Sequence, residues 1–317
     1  MQGWVYAEGQ WRAIEAETIP DALTNPGSFV WMELQDVSTQ ELNRLGNLFK
    51  LHELAIEDVI AARQRPKIEE YPNGELFLVM RTAMEWNGHI EYGETHLFLG
   101  QRHILIVRHG PGPGYDHALR RLKQGRFTPS VGAALYAVLD QAVDAYRPVA
   151  DRLVERYDSY ESALLESELA DKNLTRLYRL KRQTLQLTQS VEPMEDMVQE
   201  LIRMHPEIVE KGLKAYYRDV QDHLARLNRD LFQMREMLTD AMNISLASLS
   251  LRQNDSVQKL AGWGAILAIP TLVFSLYGMN FKFMPELDWR WGYPLTLSLT
   301  GAACYGLYRH LKERGWI

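Results

Sequence analysis

The sequence predicts an α+β cytoplasmic domain followed by long helices and two C-terminal transmembrane helices. Three observations predict it. Residues 260–281 carry no charged side chain, and an unbroken helix of that length covers about 30 Å, the thickness of a bilayer's hydrocarbon. A heptad seam precedes this run: Leu213, Tyr217, Val220, Leu224, Leu227, Leu231, Met234 and Leu238 alternate steps of four and three. Short strand-like runs and short helical segments alternate through the first 130 residues.

Residues 1–130 read as the α/β domain. WVYAEGQWRAIE suggests two strands around Gly9, and Phe29 to Leu34 a third. Ser38 with Glu41 three positions later is the capping-box pattern and opens a helix through Leu48. LHELAIEDVI holds no proline or glycine and reads as a second short helix. Glu75 to Thr82, His96 to Leu99 and His103 to Arg108 read as strands of a central sheet. His52-Glu53 starts a zincin-like pattern, but position 56 is Ile56, so no second histidine follows. HGPGPGY lacks the Lys-Ser or Lys-Thr of a phosphate loop and reads as a turn. His89, His96, His103 and His109 are scattered, and no metal site is expected from them.

Residues 131–206 read as paired long helices, with a turn at Asp171-Lys172-Asn173. Glu155, Asp158, Glu161, Glu166, Glu168 and Asp171 stud this part. They form a solvated helix face or, on a sharper reading, a surface that concentrates cations. His205-Pro206 ends the hairpin, and a long helix is expected from 207 through 259 and into the membrane. Such a helix cannot bury its seam alone, which points to a bundle or a ring of subunits.

The first crossing is 260–281, the loop 282–290, the second crossing 291–308 and the basic tail 309–317. Trp263, Tyr277, Trp289, Trp291, Tyr293, Tyr305 and Tyr308 lie near the ends of the apolar runs, as interfacial aromatics do. Arg252 and Lys259 precede the first crossing, and Arg309, Lys312 and Arg314 follow the second. The loop holds only Lys282 and Arg290. The positive-inside rule therefore places both termini in the cytoplasm. No basic region followed by an apolar run opens the chain, so no cleaved signal is expected.

A net charge of -6 over 317 residues argues against a nucleic-acid partner. One cysteine, Cys304, excludes a disulfide framework and a thiolate metal cage within one chain. No nucleophile–base pair or cofactor motif is found, so neither an enzyme nor a resident cofactor is expected.

The first crossing carries a patterned face. Asn254, Ala261, Ala268 and Ser275 are spaced by sevens, and Val257, Gly264, Thr271 and Gly278 each follow three residues later. The ordinary reading is close helix packing, with Thr and Ser bonding back to their own helix. The sharper one is a closed ring of copies with this face toward its axis.

The run YGMNFKFMPELDWRWGYP strongly resembles the signature of CorA-type divalent-cation channels. LHELAIEDVIAARQRPKIEEY is similar to that family's N-terminal domain, and YYRDVQDH to the start of its long helix. The resemblance covers nearly the full chain, with the same order and length of parts.

It implies a funnel-shaped homopentamer in a bacterial-type inner membrane, surrounded by lipid. The implied cargo is Mg²⁺, with Co²⁺ and Ni²⁺ accepted, and intracellular Mg²⁺ is the regulatory ligand. Carried over by motif, Gly278, Met279 and Asn280 form the outer selectivity ring. Asn254, Leu260 and Thr271 match pore-lining positions, Leu260 as part of a hydrophobic gate. The roles of Leu260 and Asn280 rest on the resemblance, not on spacing. Asp219, in YYRDVQDH, matches the helix side of a regulatory metal site between neighbouring subunits. Glu85, in RTAMEWNGH, is the nearest carboxylate for the other side. Glu286 in the outer loop either attracts cations or keeps the loop soluble. Two alternatives stand: a zinc transporter of the related ZntB type, proton-coupled or not, and a membrane-anchored sensor or scaffold.

Overall fold

The computed structural model describes residues 2–62, 64–166, 170–280, 282 and 284–317. Contacts divide the chain into two units. The first is Met1–Glu166 with Thr175–Ala241; the second is Ser167–Leu174 with Met242–Ile317.

The first unit opens with β1 (Gln2–Ala7) and β2 (Gln10–Ala13), paired antiparallel with Ala7 opposite Gln10. Glu8 and Gly9 between them have φ of 52° and 81°. A two-residue turn with both positions left-handed matches the twist of its strands, and glycine accepts that conformation without strain. Then follow α1 (Ile19–Thr24), β3 (Phe29–Gln35), α2 (Thr39–Phe49), α3 (Glu53–Ala61), β4 (Lys67–Glu70), β5 (Leu76–Trp86), β6 (His89–Leu99) and β7 (His103–His109). The seven strands form one sheet in the order β2-β1-β3-β7-β6-β5-β4. Only β3 and β7 pair in parallel; the other neighbours are antiparallel.

Caps set the helix starts. The Glu41 N–H donates to Ser38 Oγ at 3.3 Å, as the capping pattern predicts. His52 caps α3 by accepting from the Leu54 N–H at 3.3 Å, and its ring stacks on Tyr71. Val30, Met32 and Leu34 of β3 and Leu105 and Val107 of β7 share a core with α2 and α3. The alternate residues Trp31, Ile104 and Ile106 are buried too, so the sheet is covered on both faces. The helices α4 (Asp116–Lys123), α5 (Val131–Asp144) and α6 (Tyr146–Glu166) come next, with α5 against β7 and α6 against β5. Between the layers Glu33 is buried. It accepts from Arg108 Nε at 2.7 Å and from the Tyr115 N–H at 3.2 Å.

The long helices are α7 (Ala170–Met204) and α8 (Lys214–Tyr277). All eight residues of the heptad seam are buried, as the 3–4 spacing predicts. The Tyr217 hydroxyl donates to the Gly132 carbonyl at 2.9 Å, and Gly132 lies so close to the Ile208 carbonyl that no side chain fits. Three expectations are corrected. The helix expected from 207 begins at Lys214, because residues 206–213 form turns that close on Gly132 through Ile208. Residues 171–173 are helical rather than a turn; residues 167–169, Glu168 among them, lie outside the described residues. The turn ahead of β6 is Asn87-Gly88, with φ of 49° and 76°, so that strand starts seven residues before His96.

In the second unit α8 is followed by α9 (Gly292–Glu313). Among the described residues, one helix, α8, is both long and apolar enough to cross a membrane. α9 has 22 residues and no charge before Arg309, but its tyrosines, glycines and hydroxyls dilute its hydropathy.

Candidate functional site

α9 covers one face of α8. The Trp263 and Tyr308 rings lie 6.2 Å apart, and the Tyr277 and Thr296 hydroxyls 3.1 Å. Pro270 has no N–H, which frees the Ile266 carbonyl four residues back; the Cys304 thiol donates to it at 3.7 Å. Gly262 belongs to the same face, since a Cβ there would meet Ile317 at 3.1 Å. Gly262, Ile266, Val273 and Tyr277 are therefore the covered side.

At 100° per residue, Asn254, Val257, Ala261, Gly264, Ala268, Thr271, Ser275 and Gly278 centre about 180° from that side. All eight are exposed in the single chain, and a Cβ on Gly264 would meet nothing within 4 Å. The small and polar face is thus the one that the chain leaves uncovered. The Thr271 hydroxyl donates back to the Leu267 carbonyl at 2.8 Å, as the ordinary packing reading expects. Its two lone pairs remain available to accept. Leu260 is 80% exposed, an apolar side chain with no cover of its own.

α8 ends at Tyr277. The Gly278 N–H donates to Phe274 O at 2.9 Å and the Met279 N–H to Leu276 O at 3.3 Å, closing the last turn. Met279 and Asn280 follow, both exposed, while Phe281 and Phe283 lie outside the described residues. Glu286 is exposed; its backbone carbonyl sits against Gly292, where a side chain would collide. Its carboxylate has no described ion-pair partner.

The two carboxylates expected at the regulatory site engage different partners within the chain. Glu85, at the end of β5, lies 3.1 Å from Arg152 Nε of α6. Asp219, in the second turn of α8, lies 3.9 Å from His223 Nε2 and is largely exposed. A cavity of about 400 Å³ close by is bordered by Asp144, Arg147, His223 and Asp230. Burial and then the neighbouring Asp140 carboxylate hold Asp144 above the usual carboxylate range. Asp230 is paired with Arg147 at 2.9 Å. Of the histidines that the sequence scatters, His96 and His109 come together, rings 5.4 Å apart. Among the described residues, no three His, Cys, Asp or Glu side chains are arranged to hold a metal ion.

An α+β domain, a 64-residue helix and a second apolar helix make up the fold. The CorA magnesium transporter from Methanocaldococcus jannaschii matches it with a TM-score of 0.83 at 17% identity, over 100% of this chain and 99% of that one. The ZntB cytoplasmic domain from Vibrio parahaemolyticus matches with a TM-score of 0.58 at 13% identity, over 79% and 98%. In sequence, the chain is 27% identical over 292 residues to the cobalt/magnesium transport protein CorA of Thermotoga maritima, covering 90% of this chain and 83% of that protein. The family described as CorA-like Mg2+ transporter protein matches residues 26–312, and the chain belongs to it. It is a family of transporters, not of enzymes.

Proposed function

We propose that this chain forms a homopentameric channel for divalent cations that admits Mg²⁺, and also Co²⁺ and Ni²⁺, across a bacterial-type inner membrane. One observation carries the reading: the eight-residue small and polar face of α8 lies opposite the face that α9 covers and stays exposed in the single chain. A closed ring of copies covers that face and gives it an axis to line. Segments 260–281 and 291–308 cross the membrane, 282–290 faces outward, and both termini are cytoplasmic.

The chemistry suits the cargo. Mg²⁺ dehydrates reluctantly and keeps its waters. A ring of Asn280 amides accepts hydrogen bonds from those waters without stripping them. Fixed carboxylates would bind tighter and release more slowly, and conduction requires release. Gly278 and Met279 complete the outer ring, Asn254 and Thr271 touch the permeating water, and Leu260 forms an apolar constriction. Glu286 raises the local cation concentration at the entrance.

Gating uses the cytoplasmic unit. Asp219 of one subunit and Glu85 of the next share an intracellular Mg²⁺ that offsets carboxylate repulsion and holds the ring closed. The metal must compete with Arg152 for Glu85, which favours Asp219 as the stronger ligand. No resident cofactor is required; Mg²⁺ is cargo and regulator.

The test is ion flux in proteoliposomes of the purified chain, comparing Mg²⁺ with Zn²⁺, with and without a pH gradient. Mg²⁺ entry independent of the gradient supports the proposal. Zn²⁺ entry driven by protons assigns the ZntB-type alternative, and no flux of either ion leaves an anchored sensor or scaffold.

A further inference from the structure

A second cavity, of about 560 Å³, lies in the first unit at one end of the sheet. It is bordered by the ends of α1 and α2 and by the turns that connect β4 to β5 and β6 to β7. Two of its bordering side chains are polar and nearly sealed from solvent: Glu75 is 5% exposed and His103 is 7% exposed. The Glu75 Oε2 atom accepts from the His52 N–H at 3.0 Å and from Asn73 Nδ2 at 3.3 Å. Its Oε1 atom has no hydrogen-bond partner, and neither has Nε2 of His103. Buried polar atoms without partners are costly; with the neutral His103 ring protonated at Nδ1, Nε2 is an acceptor like Oε1, and both residues border one cavity. Gly100 packs flat on the imidazole ring, where any side chain would collide with it.

The other two charged residues at this cavity are cationic. Lys50 stands exposed at the end of α2, and Arg102 donates from Nη1 to the carbonyls of Leu23 and Thr24, capping α1. Neither makes a described ion pair. The charges therefore sort the ligands. A simple anion meets the Glu75 carboxylate, and a simple cation meets Lys50 and Arg102. A molecule with an ammonium at one end and a carboxylate at the other satisfies both, its N–H groups serving the two orphaned acceptors.

We propose that this cavity binds a small zwitterion of the amino-acid class, its ammonium on Glu75 and His103 and its carboxylate on Lys50 and Arg102. Nothing in this site is shared with the permeation face or with Asp219 and Glu85. Burial, the largest influence on Glu75, holds that carboxyl above its usual range, and an ammonium neighbour favours its ionised form.

The test uses the full chain in detergent and isothermal titration with glycine, β-alanine and leucine, with ethylamine and acetate as half-ligands. At least one zwitterion should bind once per chain, about tenfold or more tighter than either half-ligand, the worth of one charge-assisted contact. Glu75→Gln should weaken it by about tenfold or more. Lys50→Gln, an exposed change that leaves the fold intact, should weaken the zwitterion but not ethylamine. Zwitterion binding unchanged in both variants, or no binding by any of the three zwitterions at millimolar concentration, overturns the proposal.

Discussion

Replacing Gly264 by leucine separates a face that lines a conduit from a face that merely packs. In the single chain the new side chain meets nothing, since a Cβ at Gly264 finds no atom within 4 Å. Leucine is also the better helix former, by roughly 0.8 kcal/mol, so the chain should fold at least as well as the parent. Five copies around an axis, however, add about twenty carbon atoms at one level of the conduit. A tenfold loss of flux corresponds to about 1.4 kcal/mol of added barrier, and a dry apolar collar should exceed it. Two further glycines supply the controls. Gly306 of α9 has equally open surroundings but lies off the patterned face, so Gly306→Leu should conduct normally. Gly262 touches Ile317, so Gly262→Leu should overpack the α8–α9 contact and destabilise it by about 1–3 kcal/mol. The assay is Mg²⁺ entry into proteoliposomes, with the particle mass and thermal midpoint of each variant. The expected outcome is an intact oligomer without flux for Gly264→Leu alone. Parental flux in that variant, or a dissociated oligomer, refutes the axial placement.

Further predictions follow from the first unit. Asp219→Ala should relieve inhibition by intracellular Mg²⁺ while leaving maximal flux intact; an unchanged inhibition curve counts against the regulatory role. Burial lowers the His103 imidazole to about 4, below the ordinary 6.5. The unfolded chain therefore takes up that proton first as pH falls. Stability that is present at neutral pH is lost between about 6.5 and 4, on the order of 3 kcal/mol at most. His103→Gln should flatten the midpoint-versus-pH curve across that window, and parallel curves would contradict it. Arg108→Met leaves the Glu33 carboxylate buried with only the Tyr115 N–H and should cost about 3–5 kcal/mol. Adding Glu33→Gln should recover part of the loss in a denaturant melt, and a fully additive double variant would argue against the pairing.

Much of this fold is local and so was legible. The Ser38 cap, the Glu8-Gly9 turn and the buried seam from Leu213 to Leu238 each rest on spacing within one element. The patterned face of α8 was legible for the same reason, because a helix turns residues at steps of three and four onto one side. One strand and half of another are not legible in the sequence. Lys67–Glu70 and the first half of β6 are polar or alternate weakly, and they pair because the neighbouring strand leaves a ladder to fill. The Asn87-Gly88 turn was the available signal for the second of them. Contacts distant in sequence were not legible: Arg152 beside Glu85, the Cys304 thiol on the carbonyl freed by Pro270, and His96 against His109. Each depends on strand order or helix pairing, which no window of residues encodes. The start of α8 was misplaced because Lys211-Gly212 is a weak break, and the segment before it is held by packing on Gly132 instead.

Cation flux through Asn280→Ala, measured beside the parent chain in the same vesicles, is the most direct test of the central claim. That claim is that amide side chains at the outer end of α8 receive a cation still wearing its water. Alanine removes the amide at an exposed position beyond the helix end, so the fold should persist while Mg²⁺ entry and the preference among Mg²⁺, Co²⁺ and Ni²⁺ fall away. Parental flux with parental ion preference would contradict the account.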